Sequence, residues 1–114
     1  MPLVRIALRR GKSPAQLAAL RNGIYQSMRE TFNVPADDRF ILVSQHDVDE
    51  FDCDPNYLGI DRSDDLVIVQ ITCNGGRTVE QKKALYRSIA EKFSADPGLR
   101  PEDVFITLVE VVKE

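Results

Sequence analysis

Sliding the sequence against itself by 65 positions, the distance from Gly11 to Gly76, superposes its two halves without a gap. Ile6 falls on Ile71, Gln16 on Gln81, Ala19 on Ala84, Leu20 on Leu85 and Ile24 on Ile89; further on, Asp38, Phe40 and Ile41 fall on Asp103, Phe105 and Ile106. Self-similarity at a fixed offset marks one supersecondary unit used again, so the two copies must fold alike. A length of 114 residues then leaves room for one domain, residues 1–114, with units at about 2–45 and 66–112 and a polar connection between them.

Each copy opens on a run rich in branched residues, LVRIAL in the first and LVIVQITC in the second, as strands prefer. A glycine-containing turn follows, and then a hydroxyl N-cap: Ser13 with Pro14 at the first helical position, and Thr78 with Gln81 in capping-box spacing. Leu17, Leu20, Ile24 and Met28 in one helix, and Leu85, Ile89 and Phe93 in the other, recur at three- and four-residue steps and mark the buried faces. Val34-Pro35 and Asp96-Pro97-Gly98 break the helices, and the strands RFILVSQ and VFITLVEVV come after them. The unit is βαβ. Two right-handed units related by a pseudo-twofold give an α+β fold, a four-stranded sheet with both helices on one face.

The other face needs a cover, because LVIVQITC and VFITLVEVV carry apolar residues at successive positions, as strands buried on both sides do. A second subunit is the economical cover, which predicts an oligomer. Residues 46–65, HDVDEFDCDPNYLGIDRSDD, read as a long polar excursion containing a short hairpin.

Several function classes drop out. A net charge of -3 and the lack of basic runs beside aromatic residues argue against nucleic acid. The stretch Leu3 to Leu8 is interrupted by Arg5 and is too short for a signal or a membrane span, which points to a cytoplasmic protein. Cys53 and Cys73 match no metal spacing and read as reduced thiols; His46 is the only histidine and reads as a loop or strand-end residue. The acidic run from Asp47 to Asp54 lacks the central glycine and closing glutamate of a calcium loop.

Chemistry gathers at strand ends and helix starts. Pro2 begins the first strand, and loss of Met1 would leave it a secondary amine; a free α-amine titrates at about 7.7 to 8.0, so burial or a nearby arginine would bring it to neutrality as a general base. In the turn Cys73-Asn74-Gly75-Gly76-Arg77-Thr78, Arg77 offers a fork of donors to a carboxylate. Asn74 and Gln45 are candidates to orient a carbonyl or a water, whereas Tyr25 and Tyr86, inside the helices, read as packing or surface residues.

The proline after the initiator Met, the duplicated unit, VPADDRFILVSQH (Val34 to His46) and GRTVEQKKALY (Gly76 to Tyr86) together resemble the tautomerase superfamily, and within it the malonate semialdehyde decarboxylase branch. The resemblance spans nearly the whole chain. It implies a homotrimer, no metal or organic cofactor, a catalytic Pro2, and Asp38 of PADDRF as the residue that positions or polarises substrate or water. Of the branch's two arginines before the second helix, one matches Arg77 and the other position is Gly75, which favours tautomerisation over decarboxylation. The branch also continues past the last strand into a Trp-Ser-Phe-Gly type segment; here the sequence reads Val-Val-Lys-Glu and contains no tryptophan, which implies either a more open pocket or a truncated form.

The expected activity is therefore a cofactor-free keto–enol shift on a small 2-oxo acid, with Pro2 as base and Arg77 on the carboxylate. The alternatives are decarboxylation of a 3-oxo acid by protonated Pro2, and a non-enzymatic ligand-binding or scaffold trimer.

Overall fold

The structure, a computed structural model, describes residues 2–112. Removal of Met1 and the final Lys-Glu pair therefore lie outside the described residues. Strand β1 (Pro2–Arg9) leads into helix α1 (Pro14–Phe32) and strand β2 (Ile41–His46); β3 (Val67–Asn74), α2 (Val79–Ala95) and β4 (Val104–Val111) repeat the order. The sheet runs β2-β1-β3-β4, parallel within each copy and antiparallel where β1 meets β3. This is the duplicated βαβ arrangement expected from the repeat.

Local chemistry sets the boundaries at matched positions. Ser13 and Thr78 both close reciprocal capping boxes, with Gln16 and Gln81, each contributing about 1 kcal/mol. Gly11 and Gly76 hold φ values of 135° and 111°, a region that disfavours any side chain, and so let each strand turn sharply into its helix. Helix α1 ends at Asn33 in the left-handed conformation.

Helix positions Leu20, Ile24, Met28, Leu85, Ile89 and Phe93 are buried against strand positions Val4, Ile6, Val69 and Ile71, with Leu17 packed at the margin. Each such side chain contributes roughly 1.5–3 kcal/mol. The helices touch where Gly23 lies under the Phe93 ring and Ser88 donates to Ser27 at 2.8 Å. Across the sheet, the alternating residues Leu3, Leu42, Ile68, Phe105 and Val109 face away from the helices, interspersed with Arg5, Ser44, Gln70 and Thr107. Leu42 is 50% and Phe105 43% exposed in the single chain. The uncovered face is thus mixed rather than uniformly apolar.

The connection contains no hairpin among the described residues. It forms short 3₁₀ turns at Val48–Glu50 and Tyr57–Gly59. Its anchors are Phe51, buried beneath Arg9 at 4.9 Å, and Ser63, whose N–H and hydroxyl each donate to Asp103 at 2.7 Å. These contacts replace the ladder a hairpin would have supplied.

Candidate functional site

Pro2 occupies the first position of β1, where a missing N–H costs the sheet nothing. It pairs with Cys73 of β3, and Cys73 pairs with Glu110 of β4, so the three form one row at a single end of the sheet. Pro2 and Cys73 are buried on the helix-covered side. Burial raises the Cys73 thiol pKa above its ordinary value, Glu110 raises it further, and the cations Arg77 and Lys82 pull against that rise.

Arg77 lies near enough to Cys73 for its charge to lower the thiol pKa. The turn opened by Gly76 brings its Nη1 to donate to the Asn74 carbonyl at 3.0 Å, while the guanidinium lies 4.8 Å from the centroid of the Phe32 ring at the end of α1. The stacked ring and the single carbonyl fix the fork without neutralising it: among the described residues Arg77 has no carboxylate partner. Asn74 meets Arg77 through its backbone and not its amide. Lys82, one turn into α2, pairs with Glu110, which hydrogen-bonds its ammonium and raises its pKa. A Cβ on Gly75 would come within 3.3 Å of Glu110 Oε2, so the bare backbone there leaves room for this carboxylate.

Asp38 reaches the same end from the opposite flank. Its N–H donates to Pro35 at 3.1 Å, closing a turn, and two residues later the Phe40 carbonyl accepts from Val4 at 2.9 Å, beside the start of β1. The turn is fastened to α1: the Tyr25 hydroxyl donates to the Ala36 carbonyl, and Arg39 lies 4.4 Å over the Tyr25 ring while donating to Asn22 at 2.7 Å. Asp38 is half-buried and Asp37 is exposed, which separates the two neighbouring aspartates.

Pro2, Asp38, Asn74 and Arg77 thus lie toward the same end of the sheet. Gln45 does not join them within one chain: it pairs with Leu8, which at a strand rise of ~3.3 Å per residue sets it about 20 Å along the sheet from Pro2. Parallel pairing of β2 with β1 carries Asp38 and Gln45 to opposite ends. The residues missed by sequence reasoning are Lys82, Glu110 and Phe32, each of which acts through a partner far away in sequence. Only the apolar spacing that buried Phe32 and the repeat that aligned β4 with β2 hinted at them.

The pseudo-twofold generates a counterpart at the other end, where Val67 stands in the place of Pro2 and Lys12 in that of Arg77. There every cation is neutralised: Arg9 by Asp64 at 3.6 Å, Arg10 by Asp47 at 2.9 Å and Lys12 by Asp65 at 3.0 Å, around a cavity of about 440 Å³. A second cavity, of about 290 Å³, lies between the connection and the uncovered face, beside Cys53, Tyr57, Arg62 and Phe105. Neither is lined by Pro2 or Arg77. The pair of groups that could do acid–base work on an anion lies at the Pro2 end.

Residues 38–114 match one tautomerase enzyme family model and residues 2–60 another. The probable tautomerase YusQ of Bacillus subtilis (strain 168) is 49% identical over 108 residues, covering 95% of this chain and 85% of that protein. Malonate semialdehyde decarboxylase, solved in wild-type, mutant and inactivated forms, superposes with a TM-score of 0.89 at 33% identity over 96% of this chain and 84% of its own. A fused 4-OT wild-type symmetric trimer, at 22% identity, shares the fold with a TM-score of 0.80 over 97% and 86% of the respective chains. No described helix is long and apolar enough to cross a membrane.

Proposed function

The chain is an enzyme of the tautomerase family, on the side of the malonate semialdehyde decarboxylase branch, and on that premise we propose that it interconverts the keto and enol forms of a small 2-oxo acid with Pro2 as the base. With Met1 removed, Pro2 presents a secondary amine at the end of a buried strand. Burial and the cation of Arg77 disfavour its protonated form, which leaves a neutral base at working pH. The amine takes a proton from the enol hydroxyl or the α-carbon and returns it at the conjugate position. Arg77 holds the carboxylate, so that the reacting atoms meet in one geometry. Asp38, on the other flank, orients the carbonyl or a water.

The observation that supports this reading is the state of Arg77, a cation held by Asn74 and Phe32 near Cys73, the register partner of Pro2, with no carboxylate partner among the described residues. The test is turnover of the monocarboxylate phenylenolpyruvate by demethionylated wild type and Pro2→Ala, with the dicarboxylate 2-hydroxymuconate as a comparison substrate and malonate semialdehyde as the decarboxylation control. Loss of enol–keto turnover in Pro2→Ala, together with a wild-type rate that rises through the Pro2 titration, supports the base. Retained turnover overturns it.

Decarboxylation is the second reading, supported by the 33% identity to malonate semialdehyde decarboxylase and by the half-buried Asp38. It requires protonated Pro2 and predicts a rate that falls through the same titration. For either chemistry the assembly is a homotrimer that covers the face bearing Leu42 and Phe105. Sedimentation of wild type against Phe105→Asp tests it, with the variant expected to dissociate.

A further inference from the structure

We propose that the Lys82–Glu110 pair sets the charge of the site, so that it accepts a monocarboxylate and discriminates against a dicarboxylate. The inference rests on the proposed function for the position of the substrate, and it goes further by fixing how many anionic groups that substrate carries.

Glu110 is the register partner of Cys73, which is the register partner of Pro2, so its carboxylate stands at the far end of the row that forms the floor. Lys82 descends on it from the first turn of α2, and the pair is only partly exposed, 26% for the lysine side chain and 34% for the glutamate. The Glu110 charge is therefore spent on Lys82, and the pair contributes no net charge to the site. Arg77 is left as the cation without a carboxylate partner among the described residues. The Arg77 fork suits one carboxylate.

A second substrate carboxylate directed along the floor toward β4 would meet a pair that is already neutral and find no cation to offset its desolvation. An unpaired charge within several ångströms of it at a half-exposed site would change affinity about tenfold, up or down with its sign. Gly75 bears on the same point, because a side chain there would press on Glu110 Oε2 at 3.3 Å, and the bare backbone leaves room for the carboxylate. At the pseudo-equivalent end all three cations of the turn are paired with aspartates. Neutralising Lys82 but sparing Arg77 thus distinguishes the Pro2 end from its copy.

Calorimetric titration of the demethionylated full-length protein with crotonate and fumarate, a mono- and a dicarboxylate on the same carbon skeleton and without an enolisable oxo group, reads the charge directly. Glu110→Gln leaves Lys82 unneutralised and is expected to raise the fumarate-to-crotonate affinity ratio about tenfold. Lys82→Met exposes Glu110 and is expected to lower the ratio by a similar factor, and the double variant returns it to within about threefold of wild type. Thermal melts identify any variant that fails to fold, in which case the double variant and the remaining single one decide. A ratio unmoved by folded Glu110→Gln and Lys82→Met, or a wild type that binds neither acid at millimolar concentration, overturns the inference. Turnover by Pro2→Ala, measured in parallel, separates this outcome from failure of the base assignment: the ratio can shift while Pro2 proves inert, and the reverse.

Discussion

Replacing Asp103 with asparagine should destabilise the protein by about 2–3 kcal/mol at neutral pH while leaving side-chain volume almost unchanged. Asp103 is 1% exposed; its Oδ1 accepts from the Ser63 N–H at 2.7 Å, and its Oδ2 accepts from the Ser63 hydroxyl at 2.7 Å and from Arg100 Nε at 3.2 Å. An asparagine can keep the first of these with its oxygen, but its amide nitrogen then faces the Arg100 donor. One charge-assisted bond is lost and a donor meets a donor, and hydrogen bonds to charged groups contribute about 1.5–3 kcal/mol each. Burial by itself would raise the Asp103 pKa; the two Ser63 bonds and the Arg100 ion pair outweigh it and hold the pKa below 3.8. Because the folded pKa is depressed, the stabilisation is fully present above the unfolded pKa of about 3.9 and is lost as pH falls through the folded value. Urea denaturation at fixed protein concentration, needed because assembly shifts apparent stability, should show a midpoint about 1 M lower for Asp103→Asn at pH 7, with the slope unchanged. The gap between the two proteins should close as pH falls below about 4. A midpoint difference below about 0.3 M at pH 7, or a gap that does not narrow as the pH is lowered, would refute the assignment of this carboxylate as the charged anchor of the connection.

Arg77→Ala should raise KM for a 2-oxo acid at least about tenfold, and Arg77→Lys should recover only part of it, since an ammonium reproduces neither the fork nor the stack on Phe32; equal kinetics for the lysine variant would count against carboxylate binding by the guanidinium. Tyr25→Phe frees the Ala36 carbonyl and should cost about 1 kcal/mol of stability together with a fall in kcat, because the turn carrying Asp38 loses its tie to α1; a stability loss with kcat unchanged would remove Asp38 from the chemistry. Cys73, buried and with its thiol pKa raised by that burial, should resist iodoacetamide at pH 8 while half-buried Cys53 reacts, as peptide mass spectrometry of the native protein would show.

The sequence made the architecture legible because the repeat doubled every local signal. A hydroxyl cap, a glycine with positive φ and an apolar three- and four-residue spacing are weak alone, yet Ser13 with Thr78, Gly11 with Gly76 and Leu20 with Leu85 repeated them at one offset. What escaped was set by pairs that no local rule connects. Ser63 holds Asp103 from 40 residues away, and the Lys82–Glu110 pair joins a helix turn to the last strand. The connection's turns were missed for the same reason, as its anchors Phe51 and Ser63 are tertiary contacts. Gln45 was grouped with the Pro2 end from its residue type, whereas the register of β2 on β1 sets its place on the sheet.

The same duplication that made the fold readable raises the question of why only one end should carry chemistry. The helix N-caps, the turn glycines and the strand pairing do not separate them, since these coincide under the offset. The side chains do. Val67 occupies the place of Pro2 and offers no amine, Lys12 in the place of Arg77 is matched with Asp65, and Asp103 in the place of Asp38 is consumed by Ser63 and Arg100. At the counterpart end the cation and the carboxylate both fasten the chain to itself, and no amine is present. The connection supplies Ser63, Asp64 and Asp65, and with Asp47 it neutralises the counterpart end. A segment that resembles a mere linker in composition is thus what makes a symmetric scaffold chemically one-sided. If so, Lys12→Ala should leave turnover unchanged where Arg77→Ala does not, and comparable losses from both would place function at both ends of the sheet.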